Sequence, residues 1–364
     1  MKILITGSDG YIGSVLGPFL MERGHEVVGL DTGFYREGLL YDPAFRFPST
    51  ISQDTRNVTR ETFEGIDAVV HLAELSNDPL GQHSPEITYQ INHLGTIALA
   101  QLCKSTGVQR FVYTSSCSAY GVGSSDFKTE ESETNPQTAY AKCKVLVERD
   151  LTTLATDHFS PTILRNATAY GLSPRMRFDL VLNNLAGLAW TTHEIKMTSD
   201  GTPWRPLVHV RDIAKAIACS LAAPRHLVHN QIFNVGATSE NYQVREIAQI
   251  IAETFTGCRL SFGKNDGDNR SYRVCFDKIN TLLPGFKCER NAGMGARELL
   301  DLFQKIAMTP EIFEFRAFTR LKELQHLLDT GQIDERFFWK TMQKADVAQN
   351  GSSKNGSHFE PSPL

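Results

Sequence analysis

Lys2-Ile-Leu-Ile-Thr6, running directly into Gly7-Ser-Asp-Gly10-Tyr-Ile-Gly13, decides how this chain folds. A short continuous apolar run stopped by a turn signal reads as a buried strand. Tyr11 to Arg23 carries helical spacing. Gly7, Gly10 and Gly13 fall at every third position between the two. Glycines so placed let the backbone turn tightly and approach a pyrophosphate, whose charge meets the positive end of the following helix. A bare strand-to-helix turn would use the same spacing. The position of the triplet, after a strand and opening a helix, favours the phosphate reading, with Tyr11 and Ile12 beside the ligand.

Outward from that unit the alternation continues. Glu26 to Leu30 reads as a second strand ending at Asp31. An acidic residue about 20 positions after the turn can accept ribose hydroxyls. A carboxylate there repels a 2′-phosphate and so favours NAD over NADP, although Arg36 lies close in sequence. Ala68 to Leu72 is strand-like, Pro85 to Thr106 helical, Arg110 to Thr114 strand-like, Thr138 to about His158 helical and Thr162 to Arg165 strand-like. Apolar strands alternating with helical patterns indicate a Rossmann-type, doubly wound parallel sheet covered on both faces. Ligands then sit at the carboxyl ends of the strands.

Beyond about Tyr170 the rhythm weakens. Gly171 to Trp204 is rich in Asn, Arg and Trp, which fits a lobe contacting a substrate. Val208 to Ala223 reads strand then helix, Gln231 to Val235 strand, and Val244 to Phe255 helix. The expected division is a cofactor domain over 1–170, to which segments near 205–235 return, and a smaller mixed α/β substrate lobe over 171–302. A helical extension over 303–345 follows, then a Ser-, Gly-, Asn- and Pro-rich tail over 346–364, expected to be disordered. In the extension, Phe313, Phe315, Phe318, Leu321, Leu324 and Leu328 form an apolar face that must pack somewhere.

Composition narrows the class. The chain has 364 residues, 41% hydrophobic and 21% charged, with net charge −4. That is a globular composition with no reason to invoke nucleic acid or a membrane. No apolar run approaches the roughly 20 residues of a membrane span. The amino-terminal strand runs straight into the glycine turn, so no signal peptide is expected. The seven cysteines are scattered without Cys-x-x-Cys pairs. Reduced thiols, a cytoplasmic location and no metal site follow as expectations.

Tyr140-Ala-Lys-Cys-Lys144 places a phenol and an ammonium one helical turn apart. A nearby cation favours tyrosinate and lowers a reference pKa of about 10 toward working pH. Tyr-x-x-x-Lys is common on ordinary helices. What precedes this one is more informative: Phe111-Val-Tyr-Thr-Ser115-Ser116-Cys-Ser-Ala-Tyr120-Gly121 is a buried strand running into small hydroxyl residues. It sets a hydroxyl at a strand's carboxyl end, where substrate should lie.

The glycine triplet, the Ser116 strand end and Tyr140-x-x-x-Lys144, in that order and spacing, resemble the extended short-chain dehydrogenase/reductases. These are NAD-dependent nucleotide-sugar epimerases and dehydratases. The resemblance runs from Met1 to about Leu300. It implies Tyr140 as acid/base, Lys144 orienting the cofactor ribose and tuning Tyr140, and Ser116 bonding the reacting sugar oxygen. Asp54-x-Arg56-Asn57 resembles the segment that meets adenine, involving Asp54 and Thr55. His71-Leu72-Ala73 resembles the turn beside the adenosine ribose, with Glu74 replacing a usual alanine. Asn92 matches an asparagine near the catalytic lysine, and Leu164-Arg165 through Tyr170-Gly171 resembles the strand end passing the nicotinamide. Members are commonly dimers, so a homodimer is expected.

In the substrate lobe, Trp204-Arg205-Pro-Leu-Val-His209 resembles a segment in which an arginine meets the nucleotide diphosphate, giving that part to Arg205. Asp268-Asn-Arg270-Ser-Tyr-Arg273 resembles a second, with Arg270 or Arg273 as anion partner. An arginine's planar fork suits bridging phosphates. Asn183, Asn184 and Thr168 are further substrate candidates, and Arg175, Met176, Arg177 and Phe178 candidates for the pocket wall. Dehydratases of the family carry Asp-Glu after the hydroxyl residue; this chain has Cys117-Ser118. The expectation is therefore epimerisation through a transient 4-keto sugar. Net dehydrogenation or keto-sugar reduction is the alternative. A 4,6-dehydratase and a non-catalytic NAD-binding subunit rank below both.

Overall fold

The computed structural model describes residues 1–76, 85–122, 126–264 and 270–340. The tail expected over 346–364 and the last residues of the extension lie outside them.

Seven strands make one sheet: β1 (Lys2–Thr6), β2 (Glu26–Asp31), β3 (Ser49–Ser52), β4 (Ala68–His71), β5 (Arg110–Ser116), β6 (Ser160–Asn166) and β7 (Gln231–Val235). Their spatial order is β7-β6-β5-β4-β1-β2-β3, and every neighbouring pair is parallel. The chain runs outward from β1 through β2 to β3, then returns to lay β4 on the other side of β1. At that reversal the loops after β1 and β4 diverge, leaving a crevice at the carboxyl ends of the strands. The doubly wound Rossmann-type sheet is thus as expected.

Central strands read as unbroken apolar runs because both of their faces are covered. On one face α1 (Gly13–Met21) and α4 (Val210–Ala222) press Leu16, Leu20, Ile213 and Ile217 onto Ile3, Ile5 and Val70. On the other, α2 (Thr96–Thr106) and α3 (Ala139–Leu154) press Leu99, Cys103, Val147 and Leu151 onto Leu4, Val69, Phe111 and Ile163. Each such side chain contributes roughly 1.5–3 kcal/mol by leaving water.

Local signals fix the helix that matters most. The Thr138 hydroxyl accepts the Ala141 N–H at 3.2 Å and starts α3 immediately before Tyr140. The helix ends at Leu154, short of His158, because Thr156 and Phe159 pair back on each other. Pro85 to Thr106 is helical as expected, but not uniformly α: Tyr89–Gly95 forms a π segment. That extra residue per turn re-aims Asn92.

The smaller lobe is mixed. Helices Val181–Thr192, Val244–Thr254 and Ala292–Lys305 pack through Leu182, Leu185, Ile247, Ile251, Leu299 and Phe303. A three-stranded sheet sets Trp204–His209 between Thr168–Tyr170, which is parallel to it, and Asn241–Gln243, which is antiparallel. The extension supplies short helices Pro310–Glu314 and Arg320–Asp329. Its apolar face divides. Phe313 and Phe318 join the lobe core around Phe178, whereas Leu324, Leu327, Ile333 and Phe337 bury Phe34 and Leu75 of the cofactor half.

Candidate active site

The glycine turn is built too tightly for side chains. Gly7 sits at φ +75°, and a Cβ there would lie 2.8 Å from the Ala73 nitrogen. A Cβ on Gly13 would lie 2.2 Å from the Gly7 carbonyl oxygen. The result is bare backbone, opening α1, against the turn Leu72-Ala73. Gly7, Gly10, Tyr11, Ile12 and Gly13 line a cavity at the sheet's reversal. Across it stand Asp31, Asp54, Thr55, Leu72 and Ala73. A backbone cradle at a helix N-terminus with a carboxylate at the next strand's end fits the pyrophosphate and ribose of a dinucleotide.

Asp31 accepts the Gly33 N–H at 2.7 Å and the Asp9 N–H at 3.0 Å. Burial, and then the neighbouring Asp9 charge, push its pKa up from 3.8 to about 6. A raised acid pKa means the protein alone favours the protonated form, a preference that fades as pH rises through about 6. Ribose hydroxyls donate to the ionised form and oppose that preference. NAD affinity should therefore fall as pH drops from about 6 toward 3.8 and be flat above about 6. Calorimetric titration across that range checks this, and Asp31→Asn should abolish the dependence.

The extension closes the ribose end of this cavity. The Trp339 indole N–H donates to the Thr32 carbonyl at 2.7 Å, and its ring lies 5.6 Å from Phe34. Arg56 donates to the Arg336 carbonyl at 2.8 Å and lies 3.8 Å over the Phe338 ring. Arg320 forms part of the cavity wall and stacks 3.8 Å over Tyr35; burial, with Arg177 nearby, lowers its pKa to about 10. Trp339→Ala should accelerate NAD release about tenfold, the equivalent of about 1.4 kcal/mol from one ring contact and one hydrogen bond. Stopped-flow displacement of bound cofactor measures it.

Ser116, on β5, and Tyr140 and Lys144, one turn apart on α3, line one larger cavity of about 930 Å³ that adjoins the first at Ile12, Leu72 and Glu74. Roughly 300–1,000 Å³ suits a ligand of nucleotide-sugar size. Ser116 ends β5, and its hydroxyl accepts the Ser118 N–H at 3.1 Å. The Lys144 ammonium lies 5.4 Å from the Tyr140 ring centre. It is not a bare cation: it donates to the Thr114 carbonyl at 2.5 Å and meets Glu74 Oε2 at 2.5 Å. Tyr113 donates its hydroxyl to Glu74 Oε1 at 2.7 Å. Burial opposes the Lys144 charge, but Glu74, with Tyr140 and Glu148 adding to it, outweighs burial, so the ammonium's pKa is raised.

The site's floor is a second buried network. Arg165 donates to both oxygens of Glu148, at 3.0 and 2.6 Å, and to the Tyr120 hydroxyl at 2.9 Å. Ser115 donates to the same Glu148 carboxylate. These bonds hold β5, β6 and α3 in register beneath Tyr140. His71 spans Thr6 and Thr96 at 2.7 and 2.8 Å, and burial drives its pKa down to about 3, so it is neutral and structural.

Thr168, Arg205 and Arg270 line the larger cavity as the motifs anticipate, with Arg205 donating to the carbonyls of Trp204 and Arg270. Three expected contacts are placed elsewhere. Asn92 is fully buried and clamps Leu75, accepting its N–H at 2.8 Å and donating to its carbonyl at 3.0 Å. It shapes the turn rather than the cavity wall. Asn183 is likewise buried, holding the Gly171 N–H at 3.0 Å and the Arg177 carbonyl at 3.1 Å. Arg273 stacks over Phe127 and Trp204, at 4.4 and 5.3 Å from their ring centres. Tyr11 lines the cofactor cavity, but its hydroxyl donates to the Gly171 carbonyl at 2.7 Å and ties the two lobes together. Of the other lobe candidates, Met176 and Phe178 are core, Asn184 bonds the Phe178 carbonyl, and Arg175 bonds the Tyr35 and Arg36 carbonyls. Arg177 walls both cavities, paired with Asp179 at 2.9 Å. Sequence reasoning missed the part played by Glu74; its signals were an acidic residue inside an apolar turn and its departure from the alanine usual there.

Residues 3–236 match the model of the NAD dependent epimerase/dehydratase family. The UDP-glucose 4-epimerase of Corynebacterium glutamicum is 30% identical over 271 residues, covering 70% of this chain and 80% of that protein. The UDP-glucuronate 4-epimerase of Thermodesulfobacterium geofontis is 27% identical over 263 residues, 68% of this chain and 79% of its own. Among solved structures, MoeE5 in complex with UDP-glucuronic acid and NAD has a TM-score of 0.71 at 26% identity, covering 84% of this chain and 99% of MoeE5. The NAD dependent NDP-hexosamine 5,6-dehydratase TunA has a TM-score of 0.74 at 23% identity over 84% of this chain and 98% of its own, a likeness of fold.

Proposed function

The chain belongs to the NAD dependent epimerase/dehydratase family, and on that premise we propose that it inverts C4 of a UDP-hexose or UDP-hexuronic acid through a transient 4-keto sugar. The observation that carries this reading is Ser116, Tyr140 and Lys144 lining one cavity that adjoins the glycine cradle, with a buried cysteine, not an acid, directly after Ser116. Cys117, the residue after Ser116, is 1% exposed, bonds the Arg165 carbonyl at 3.2 Å, and is held protonated by burial. Among the described residues, the cavity's carboxylates are Glu74, Asp179 and Asp200. Glu74 is paired with Lys144, Asp179 with Arg177, and Asp200 caps the Thr202 N–H at 2.9 Å.

NAD, when bound, supplies a ring that takes hydride from a carbinol carbon and returns it. Gly7 to Gly13 hold its pyrophosphate and Asp31 its ribose. Tyr140 accepts the C4 hydroxyl proton as the carbonyl forms and gives it back on return. Ser116 donates to the same sugar oxygen and steadies the carbonyl. Arg205 and Arg270 line the same cavity and would bind the diphosphate.

Incubating the purified protein with UDP-glucose or UDP-glucuronic acid tests the reading. Proton NMR should show the C4 epimer accumulating to equilibrium while the reduced-nicotinamide absorbance stays constant. One NADH per product would instead make it a dehydrogenase, and a 4-keto-6-deoxy sugar a dehydratase.

A further inference from the structure

The Glu74 carboxylate is a group the proton and hydride chemistry does not call for, yet it is buried at the centre of the site. Its side chain is 2% exposed and borders both cavities. One oxygen accepts from Tyr113 at 2.7 Å and the other meets the Lys144 ammonium at 2.5 Å. The turn carrying it is itself clamped by Asn92 through Leu75. A carboxylate this buried is expensive unless paired: burial raises the Glu74 pKa, and the Lys144 charge and the Tyr113 hydroxyl oppose that rise.

We propose that Glu74 is a positioning residue of this site, fixing the Lys144 ammonium and compensating its charge, so that Tyr140 and the bound dinucleotide face an ion pair instead of a lone cation. This rests on the cofactor and Tyr140 roles given above, but not on which sugar is used. Two consequences follow. Lys144 donates to Thr114 and pairs its charge with Glu74, so only part of its donor capacity remains for the ribose or Tyr140. A negative charge bordering both cavities would also favour a cationic, oxidised cofactor over the neutral, reduced one. Hydride is then returned readily, as a catalyst that must not release a keto sugar requires.

Among the described residues, the other titratable groups near Tyr140 carry little net charge of their own. On α3, Cys143 is protonated, burial raising its pKa to about 12, and Glu148 is consumed by Arg165. On β5, Tyr113 has its pKa raised by burial and by Glu74, and stays a neutral donor. On β4, His71 is neutral. From the lobe, Arg177 is neutralised by Asp179.

The test uses NAD-loaded Glu74→Gln, a neutral isostere, and Glu74→Ala, which removes the group outright should Gln fold poorly. Tyr140 ionisation is read in the tyrosinate ultraviolet band, as the difference between each protein and its Tyr140→Phe counterpart. This needs no turnover, so it stands even if the sugar assignment fails. Without the carboxylate, the uncompensated ammonium should lower the Tyr140 midpoint by about one pH unit, the scale expected for one charge a few ångströms further away. The ratio of NAD to NADH dissociation constants, from fluorescence titration, should shift about tenfold toward NADH. A Glu74→Gln protein with wild-type melting temperature and unmoved values of both would overturn the proposal. So would a midpoint that rises.

Discussion

Replacing Tyr140 by phenylalanine should lower turnover by about three orders of magnitude, within the range that loss of a positioned proton acceptor brings. The substitution keeps the ring and removes one oxygen, so the cavity wall between Ser116 and Lys144 should survive it. The nearby alternatives cannot step in. The Lys144 ammonium pairs with Glu74 and its pKa is raised despite burial, and a protonated amine accepts nothing. Glu74 itself is occupied by Lys144 and Tyr113. Cys117 faces the Arg165 carbonyl, away from the cavity. Ser116 is a hydroxyl without a base of its own. Equilibrium dialysis should find NAD binding within about threefold of wild type, because the pyrophosphate and Asp31 contacts lie in the other cavity and Lys144 is kept. A parallel loss of cofactor would mean Tyr140 is structural. Unchanged turnover would end its assignment as the acid/base.

What could be read from the chain divides by physical cause. Strands buried on both faces announce themselves: Lys2–Thr6 and Gln231–Val235 have the bounds their apolar runs suggest. β3 at Ser49–Ser52 has no such run, because an edge strand with three exposed residues needs hydrogen bonds more than burial, and it was not anticipated. The π segment at Tyr89–Gly95 was equally silent, since its periodicity differs from an α-helix by one residue in a turn. For the site, short-range geometry was legible. Glycine spacing and a phenol and ammonium at i and i+4 encode their own placement. Long-range geometry was not. Nothing local tells that Asn92 would reach Leu75, or Asn183 the Gly171 N–H, and an asparagine in a motif reads equally as ligand contact or as clamp. Arg320 and Trp339, more than 280 residues from the strand end they cover, illustrate the same limit.

The strongest backbone test lies at Gly13. Alanine is the better helix former by about 1 kcal/mol, so propensity alone makes Gly13→Ala in α1 stabilising. Sterics reverse the sign. The new Cβ would stand 2.2 Å from the Gly7 carbonyl oxygen and 2.7 Å from the Ser8 Cα, both backbone atoms that no rotamer can move aside. The turn cannot relax alone: Gly10 donates to the Gly7 carbonyl at 3.1 Å and Ser14 to the Gly10 carbonyl at 3.0 Å. Ser14 is in turn bonded to Ser173 at 2.9 Å across the lobes. Displacing α1 by the ångström or so needed pulls its N-terminus off the pyrophosphate position, where a shift of that size is costly. Gly13→Ala should therefore weaken NAD binding at least about 100-fold, read by calorimetry, and lower the melting temperature. Gly293, in the Ala292–Lys305 helix, is the control. A Cβ there meets nothing nearer than 3.6 Å, so Gly293→Ala should leave NAD affinity alone and stabilise by about 0.5–1 kcal/mol. If both substitutions behaved alike, the close approach of α1 to the Gly7 turn would not be what builds the cofactor cradle.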